Sequence, residues 1–146
     1  YNYAGQPWKT QARVRQVADA LYSNTPGGIC GNDDCGQTSA WYVFSALGFY
    51  PVDPASCNYV IGSPFFDEIT VKLNPKFARG KSFTVIAKNN SPKNPYIQSA
   101  TLNGKPFTRS WISHDEITAG GKLVLTMGPT PNKAFGTSVA DRPPAK

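Results

Sequence analysis

The chain has 146 residues, 40% of them hydrophobic, 12% aromatic and 16% charged, so it can hold one domain with a real core or two small units, and it is neither disordered nor a large multi-layer enzyme by itself. Its net charge of +6 comes from Lys and Arg residues spread from Lys9 to Lys146 without a dense cluster, which describes a solvated surface and not a nucleic-acid face. No run approaches the about 18 apolar residues of a membrane-spanning helix, and the opening Tyr-Asn-Tyr carries neither Met nor a signal peptide, so the chain reads as processed or cut.

Tyr1 to Pro7 form an aromatic, glycine-containing lead-in whose rings need a partner elsewhere. From Thr10 the periodicity becomes helical: Val14, Val17, Ala18 and Leu21 recur at i, i+3, i+4 and i+7, with Arg13, Arg15, Gln16 and Asp19 on other faces. The run ends at the breaker Ser23-Asn24-Thr25-Pro26-Gly27-Gly28. Next, Gly31-Asn32-Asp33-Asp34-Cys35-Gly36 sets two carboxylates and a carboxamide between glycines, directly before an apolar run that starts at Ser39. Glycines allow close backbone approach, and a loop feeding a helix start aims amide groups at whatever the carboxylates bind. Such a loop suits a metal or a reacting water; the alternative is a plain helix cap or turn.

Ser39 to Leu47 is apolar nearly all the way around and stops at Gly48, a natural residue just past a helix end. A helix without a polar face is buried on every side. One other helix cannot wrap it, so further helices are expected, from a longer protein or from another chain. After Phe49-Tyr50-Pro51-Val52-Asp53-Pro54 the character changes. From about Tyr59 onward short strands alternate with turn signals: Ile69, Val71 and Leu73, then Phe83, Val85 and Ala87, then Tyr96 to Leu102, then Leu123, Leu125 and Met127. Asn103-Gly104 marks a two-residue hairpin, and this half reads as an antiparallel sandwich. The tail from Thr130, rich in proline and small residues, is expected to be extended or frayed.

Three cysteines leave an odd one. Cys30 and Cys35 bracket the acidic loop, and a bridge between them would fix its carboxylates. Pairing of either with Cys57, or three free, buried thiols, are the alternatives. No partnered histidine stands near any of them, which argues against a cysteine nucleophile. The one histidine, His114, sits beside Asp115 in what reads as a solvated turn. Asn89-Asn90-Ser91 is an N-glycosylation sequon with Asn89 as acceptor, and with the cysteines it points to a secreted glycoprotein.

Several motifs follow one another in a telling order: Gly5-Gln6-Pro7-Trp8-Lys9-Thr10-Gln11; Pro26-Gly27-Gly28 leading into the acidic loop; Ser39-Ala40-Trp41-Tyr42; and Ala46-Leu47-Gly48-Phe49-Tyr50-Pro51. Tyr59-Val60-Ile61-Gly62-Ser63-Pro64 and then Tyr96-Ile97-Gln98 with Leu102-Asn103-Gly104 complete the set. Together they resemble the C-terminal portion of glycoside hydrolase family 92, the calcium-dependent exo-acting α-mannosidases. The resemblance covers nearly the whole chain. It implies an α+β fragment of a larger enzyme, with residues 1–58 as the last helices of an (α/α)6 catalytic toroid and residues 59–146 as an antiparallel β-sandwich-like C-terminal region. It further implies inverting hydrolysis of terminal α-mannosides, most often α-1,2 linked, with Ca2+ as cofactor. The partners it implies are the remainder of the same enzyme and mannose-containing glycans.

Inversion needs two carboxyl groups about 6.5 to 9.5 Å apart across the sugar. Adjacent residues such as Asp33 and Asp34 point to different sides, which makes them neighbours in one half of a site and not its acid and base. The family motif implies Asp34 as the general base, with Asp33 as runner-up or as its orienter. A base works ionised, and a helix N-terminus favours that form. Asn32 offers a carboxamide oxygen to Ca2+, which takes about six to eight oxygen ligands, so the rest of the shell must come from sequence upstream. A cap or turn role is the alternative for Asn32. Trp8 and Lys9 are candidate substrate contacts, by stacking and by hydrogen bonding, whereas Trp41, inside the apolar run, is expected to pack in the core. The glutamates that serve the family lie upstream, one of them in a His-Glu-Pro stretch just before Tyr1, and Glu68 and Glu116, the only glutamates here, match neither. The chain alone is therefore expected to be inactive; a non-catalytic carbohydrate-binding or scaffolding module is the alternative reading.

Overall fold

The computed structural model describes residues 1–144. A 3-10 turn over Asn2–Ala4 leads into helix α1 (Pro7–Leu21), which starts three residues before the apolar periodicity because Pro7, with its preset φ, occupies the first turn. Helix α2 (Gln37–Leu47) follows the acidic loop and ends at Gly48 in the left-handed region, φ 96°. Strands β1 (Phe49–Tyr50) and β2 (Asn58–Ile61) come next. They are followed by β3 (Glu68–Lys72), β4 (Ser82–Lys88), β5 (Tyr96–Leu102) and β6 (Lys105–Pro106). Strand β7 (Trp111–Ser113), the short helix α3 (His114–Thr118) and β8 (Gly121–Gly128) complete the regular elements.

The strands form two sheets, one in the order β1-β2-β7 and one in the order β3-β4-β8-β5-β6. The hairpin expected at Asn103-Gly104 joins β5 to β6, with both turn residues at positive φ, 52° and 79°, as a type I′ connection requires. The larger sheet is mixed and not wholly antiparallel: β8 inserts between β4 and β5, antiparallel to β5 and parallel to β4. Alternation of apolar residues specifies that a segment is a strand and which face it buries, but not the direction of its neighbour.

One hydrophobic core serves both sheets. Phe49, Ile61 and Ile112 of the small sheet join Phe83, Val85, Ile97, Leu123, Leu125 and Met127 of the large one, with Phe44 and Leu47 of α2 packed against them. Two buried amides tie the helical part to the strands. Gln11 accepts the Ile97 main-chain N–H at 3.0 Å, and Asn2 donates to the Ile61 and Ser110 carbonyls at 3.0 and 2.9 Å. Arg15 of α1 reaches the same region, donating to the Ser63 hydroxyl, the Pro64 carbonyl and the Asn90 carboxamide.

Helix α2 is not enclosed within this chain: Ser45 and Ala46 are buried, whereas Val43 is 58% exposed. Val43 and Tyr42 line an apolar hollow with Ala46, Leu47, Phe66 and Ile69. The tail does not fray as expected. Phe135 is buried, Asn132 donates to the Gln98 carbonyl at 2.8 Å, and Ser110 N–H donates to the Asp141 carbonyl at 2.8 Å; residues 145–146 of that expectation lie outside the described residues. His114 is likewise no turn residue. It opens α3, whose capping box pairs the Ser113 hydroxyl with the Glu116 N–H and the Glu116 carboxylate with the Ser113 N–H.

Candidate active site

The acidic loop reaches α2 through Asp33. The Ser39 main-chain N–H donates to Asp33 Oδ1 at 2.8 Å and the Ser39 hydroxyl to Oδ2 at 3.0 Å. The Asp33 carbonyl accepts the Gly36 and Thr38 N–H groups, each at 3.1 Å. Asp33 therefore satisfies donors that the first turn of α2 would otherwise leave open. Asp34 differs. It is exposed, sits in the left-handed region at φ 49°, and engages only its carbonyl, which accepts the Gln37 N–H at 3.3 Å. Among the described residues its carboxylate has no hydrogen-bond partner. Asn32 is exposed as well, its carbonyl accepting the Thr38 hydroxyl at 3.3 Å.

Tyr22, which the sequence pattern does not single out, braces the loop from the other side. It follows α1, bridges to Ile29, stacks on Trp41 with ring centroids 5.5 Å apart, and donates its hydroxyl to the Thr38 carbonyl at 3.1 Å. Burial pushes that hydroxyl above its ordinary pKa, and the nearby Cys30 and Asp33 push it the same way. Trp41, expected in the core, is instead half-buried outside the main hydrophobic cluster, stacked on Tyr22. Beside the loop, Tyr22, Ser23, Asn24, Ser39 and Tyr42 line a cleft of about 550 Å³.

The remaining sequence candidates lie apart from this cluster. Trp8 is half-buried in α1, and the exposed Lys9 holds its ammonium 5.9 Å from the centre of the Tyr1 ring. Cys30 and Cys35 are free, exposed thiols, not the bridge weighed above, and Asp33 secures the loop in its place. Cys57 is free too, but a histidine does come near it: Cys57, Tyr59 and His114 line one hollow, where Tyr59 and His114 are hydrogen-bonded at 3.0 Å. The side-chain nitrogen of Asn89, the atom a glycan would take, donates to the Met127 carbonyl at 3.2 Å. Glu116 is occupied by its cap and by Arg109 at 2.6 Å. Among the described residues no three His, Cys, Asp or Glu side chains converge on a common point.

Residues 1–129 match the glycosyl hydrolase family 92 catalytic domain. A solved inverting mannosidase of that family from Bacteroides thetaiotaomicron is 52% identical, with a TM-score of 0.89, over 98% of this chain and 19% of its own length. A family 92 α-mannosidase from the same organism is 44% identical, with a TM-score of 0.92, over 99% of this chain and 19% of its own. A protein of Arthroderma benhamiae described as an uncharacterized secreted glycosidase is 39% identical over 99% of this chain and 18% of its own length. The chain thus spans about a fifth of these relatives.

Proposed function

Because the chain belongs to glycoside hydrolase family 92, we propose that it is the C-terminal part of an inverting, calcium-dependent exo-α-mannosidase, acting on α-1,2-linked terminal mannose, and that it supplies the loop carrying the general base. The observation that carries the reading is the contrast within that loop: Asp33 is bonded at both oxygens, while Asp34 next to it is exposed, its carboxylate without a partner among the described residues. In this reading Asp34 takes a proton from a water as its oxygen attacks C1 of the sugar. The C1–O bond to the leaving group breaks on the opposite face, its oxygen protonated by an acid that the rest of the enzyme supplies. Glu116 is unsuited to that role, since its carboxylate already caps α3 and pairs with Arg109.

The oxygen donors at the loop suit Ca2+ in kind and fall short in number. Asn32 offers a carboxamide, Asp33 has both oxygens engaged, and a shell needs about six to eight ligands. Asn32 would contribute one of them, the others coming from elsewhere in the enzyme; Ca2+ so held would polarise the bound sugar. The remaining helices of an (α/α)6 toroid would cover Tyr42 and Val43, and the β-rich part would form the sandwich-like side of the enzyme. Trp8 and Lys9 would contact the glycan. The enzyme acts outside the cell, as the description of the Arthroderma relative suggests for that protein.

The test is hydrolysis of α-1,2-mannobiose by the full-length enzyme and its Asp34→Asn variant, with and without a Ca2+ chelator. The expected result is a loss of about 10²- to 10⁴-fold in the variant, loss of activity on chelation, and β-mannose as the first product seen by proton NMR. Full activity in Asp34→Asn overturns the base assignment, and α-mannose as first product overturns inversion. The isolated chain is expected to be inactive; turnover by it would overturn the division of the site between this chain and the rest.

A further inference from the structure

We propose that Ser39 is a positioning residue for the general base, acting on Asp34 through Asp33; the inference rests on the reading of Asp34 just given. Ser39 alone occupies both oxygens of the Asp33 carboxylate, one through its main-chain N–H at 2.8 Å and the other through its hydroxyl at 3.0 Å. The Asp33 carbonyl is held as well, by Gly36 and Thr38. Side chain and backbone of Asp33 are thus both fastened to the first turn of α2. That turn is fastened in its own right by the Tyr22 hydroxyl on the Thr38 carbonyl.

The next residue in the chain is Asp34, at φ 49°. A non-glycine residue keeps such a conformation only where its surroundings impose it. Among the described residues nothing restrains Asp34 through its own side chain, so the restraint comes from Asp33 on one side and from Gln37, which donates to the Asp34 carbonyl, on the other. Loss of the Ser39 hydroxyl frees one Asp33 oxygen and lets the loop turn. The Asp34 carboxylate then moves off the line of the attacking water, and a displacement of about 1 Å in a reacting group costs about 10²-fold in rate. The clamp also divides the labour between the two carboxylates. Asp33 has donors on both oxygens, and Asp34 is left free to meet a water.

A helix cap alone would contribute to folding and leave turnover unchanged, and this distinguishes the two roles. The experiment measures kcat and KM of the full-length enzyme on α-1,2-mannobiose for Ser39→Ala, Ser39→Thr, Asp33→Asn and Asp34→Asn. Ser39→Ala is expected to lower kcat about tenfold or more with KM within about twofold, and Ser39→Thr, which keeps the hydroxyl, to recover most of it. Asp33→Asn still accepts the Ser39 N–H and is expected to fall well short of the loss in Asp34→Asn. The inference is overturned by Ser39→Ala with unchanged kcat, or by Ser39→Thr as impaired as Ser39→Ala. Should Ser39→Ala not fold, Asp33→Asn decides: a kcat as low as that of Asp34→Asn makes Asp33 a base and no clamp. Full activity in Asp34→Asn brings down the base assignment itself, which no result at Ser39 can do.

Discussion

Gly48 lies directly beneath Pro64: a Cβ on Gly48 would come within 3.0 Å of the Pro64 Cβ and 3.1 Å of its Cδ. The contact fixes how α2 turns into β1, since the Gly48 carbonyl also accepts the Gly62 N–H at 2.9 Å. Gly48→Ala meets two penalties together, the left-handed φ of 96° and the proline ring. We expect a loss of about 2 kcal/mol, read as a lowered urea midpoint.

The two aspartates of the loop should separate in stability as they do in contacts. Asp33→Ala removes the partner of the Ser39 N–H and hydroxyl at the start of α2 and is expected to cost about 1 to 2 kcal/mol. Asp34→Ala breaks no side-chain bond and is expected to cost less. Thermal unfolding of both variants beside the unmodified protein checks this; equal losses would show that Asp34 is held by more than its neighbours.

Glu116 links stability to acid. Burial raises its pKa, but the Ser113 N–H, Arg109 and the Ser113 hydroxyl together outweigh that and hold the carboxyl below its ordinary range. A group depressed in the folded state stabilises fully above its unfolded pKa, and that contribution is lost as pH falls through the folded value. With side chains 28% and 30% exposed the Arg109–Glu116 pair is partly screened. Glu116→Gln, which can keep the capping box, should therefore cost no more than about 1 kcal/mol at neutral pH. The difference from the unmodified protein should vanish as pH drops below the carboxylate range, as melts across pH would show.

Gln11 is buried with its carboxamide oxygen on the Ile97 N–H. Gln11→Leu fills similar space and leaves that N–H without a partner at the join of α1 and β5, at an expected cost of about 1 to 3 kcal/mol. Amide exchange at Ile97 should rise with it. A protected Ile97 amide in the variant would mean another acceptor takes over.

Much of this architecture is written locally. The apolar spacing from Val14 to Leu21, the stop at Gly48 and the Asn103-Gly104 turn each act within a few residues, and each element lies where its pattern places it. What depends on distant partners is not so written. Nothing near Leu123 says that it will lie parallel to β4, and nothing near Phe135 says that it will be buried. The acidic loop is conspicuous by composition, yet its brace is not, because Tyr22 and Ser39 are ordinary residue types whose role exists only once α1 and α2 meet. The same holds for His114, which reaches Cys57 and Tyr59 across more than fifty residues of chain.

The position of β8 governs the order of assembly. Among the described residues it is the last strand in chain order, and it lies in the middle of the larger sheet, between β4 and β5. Without β8, nothing in this sheet pairs β3–β4 with β5–β6, and each pair has an open edge where β8 would sit. Pairings between distant segments form slowly, and open edges recruit other chains in the interval. A truncation that removes β8 would therefore shed more than one strand: it would turn two halves of a sheet into two sticky edges, and aggregation rather than a smaller folded protein is its expected product.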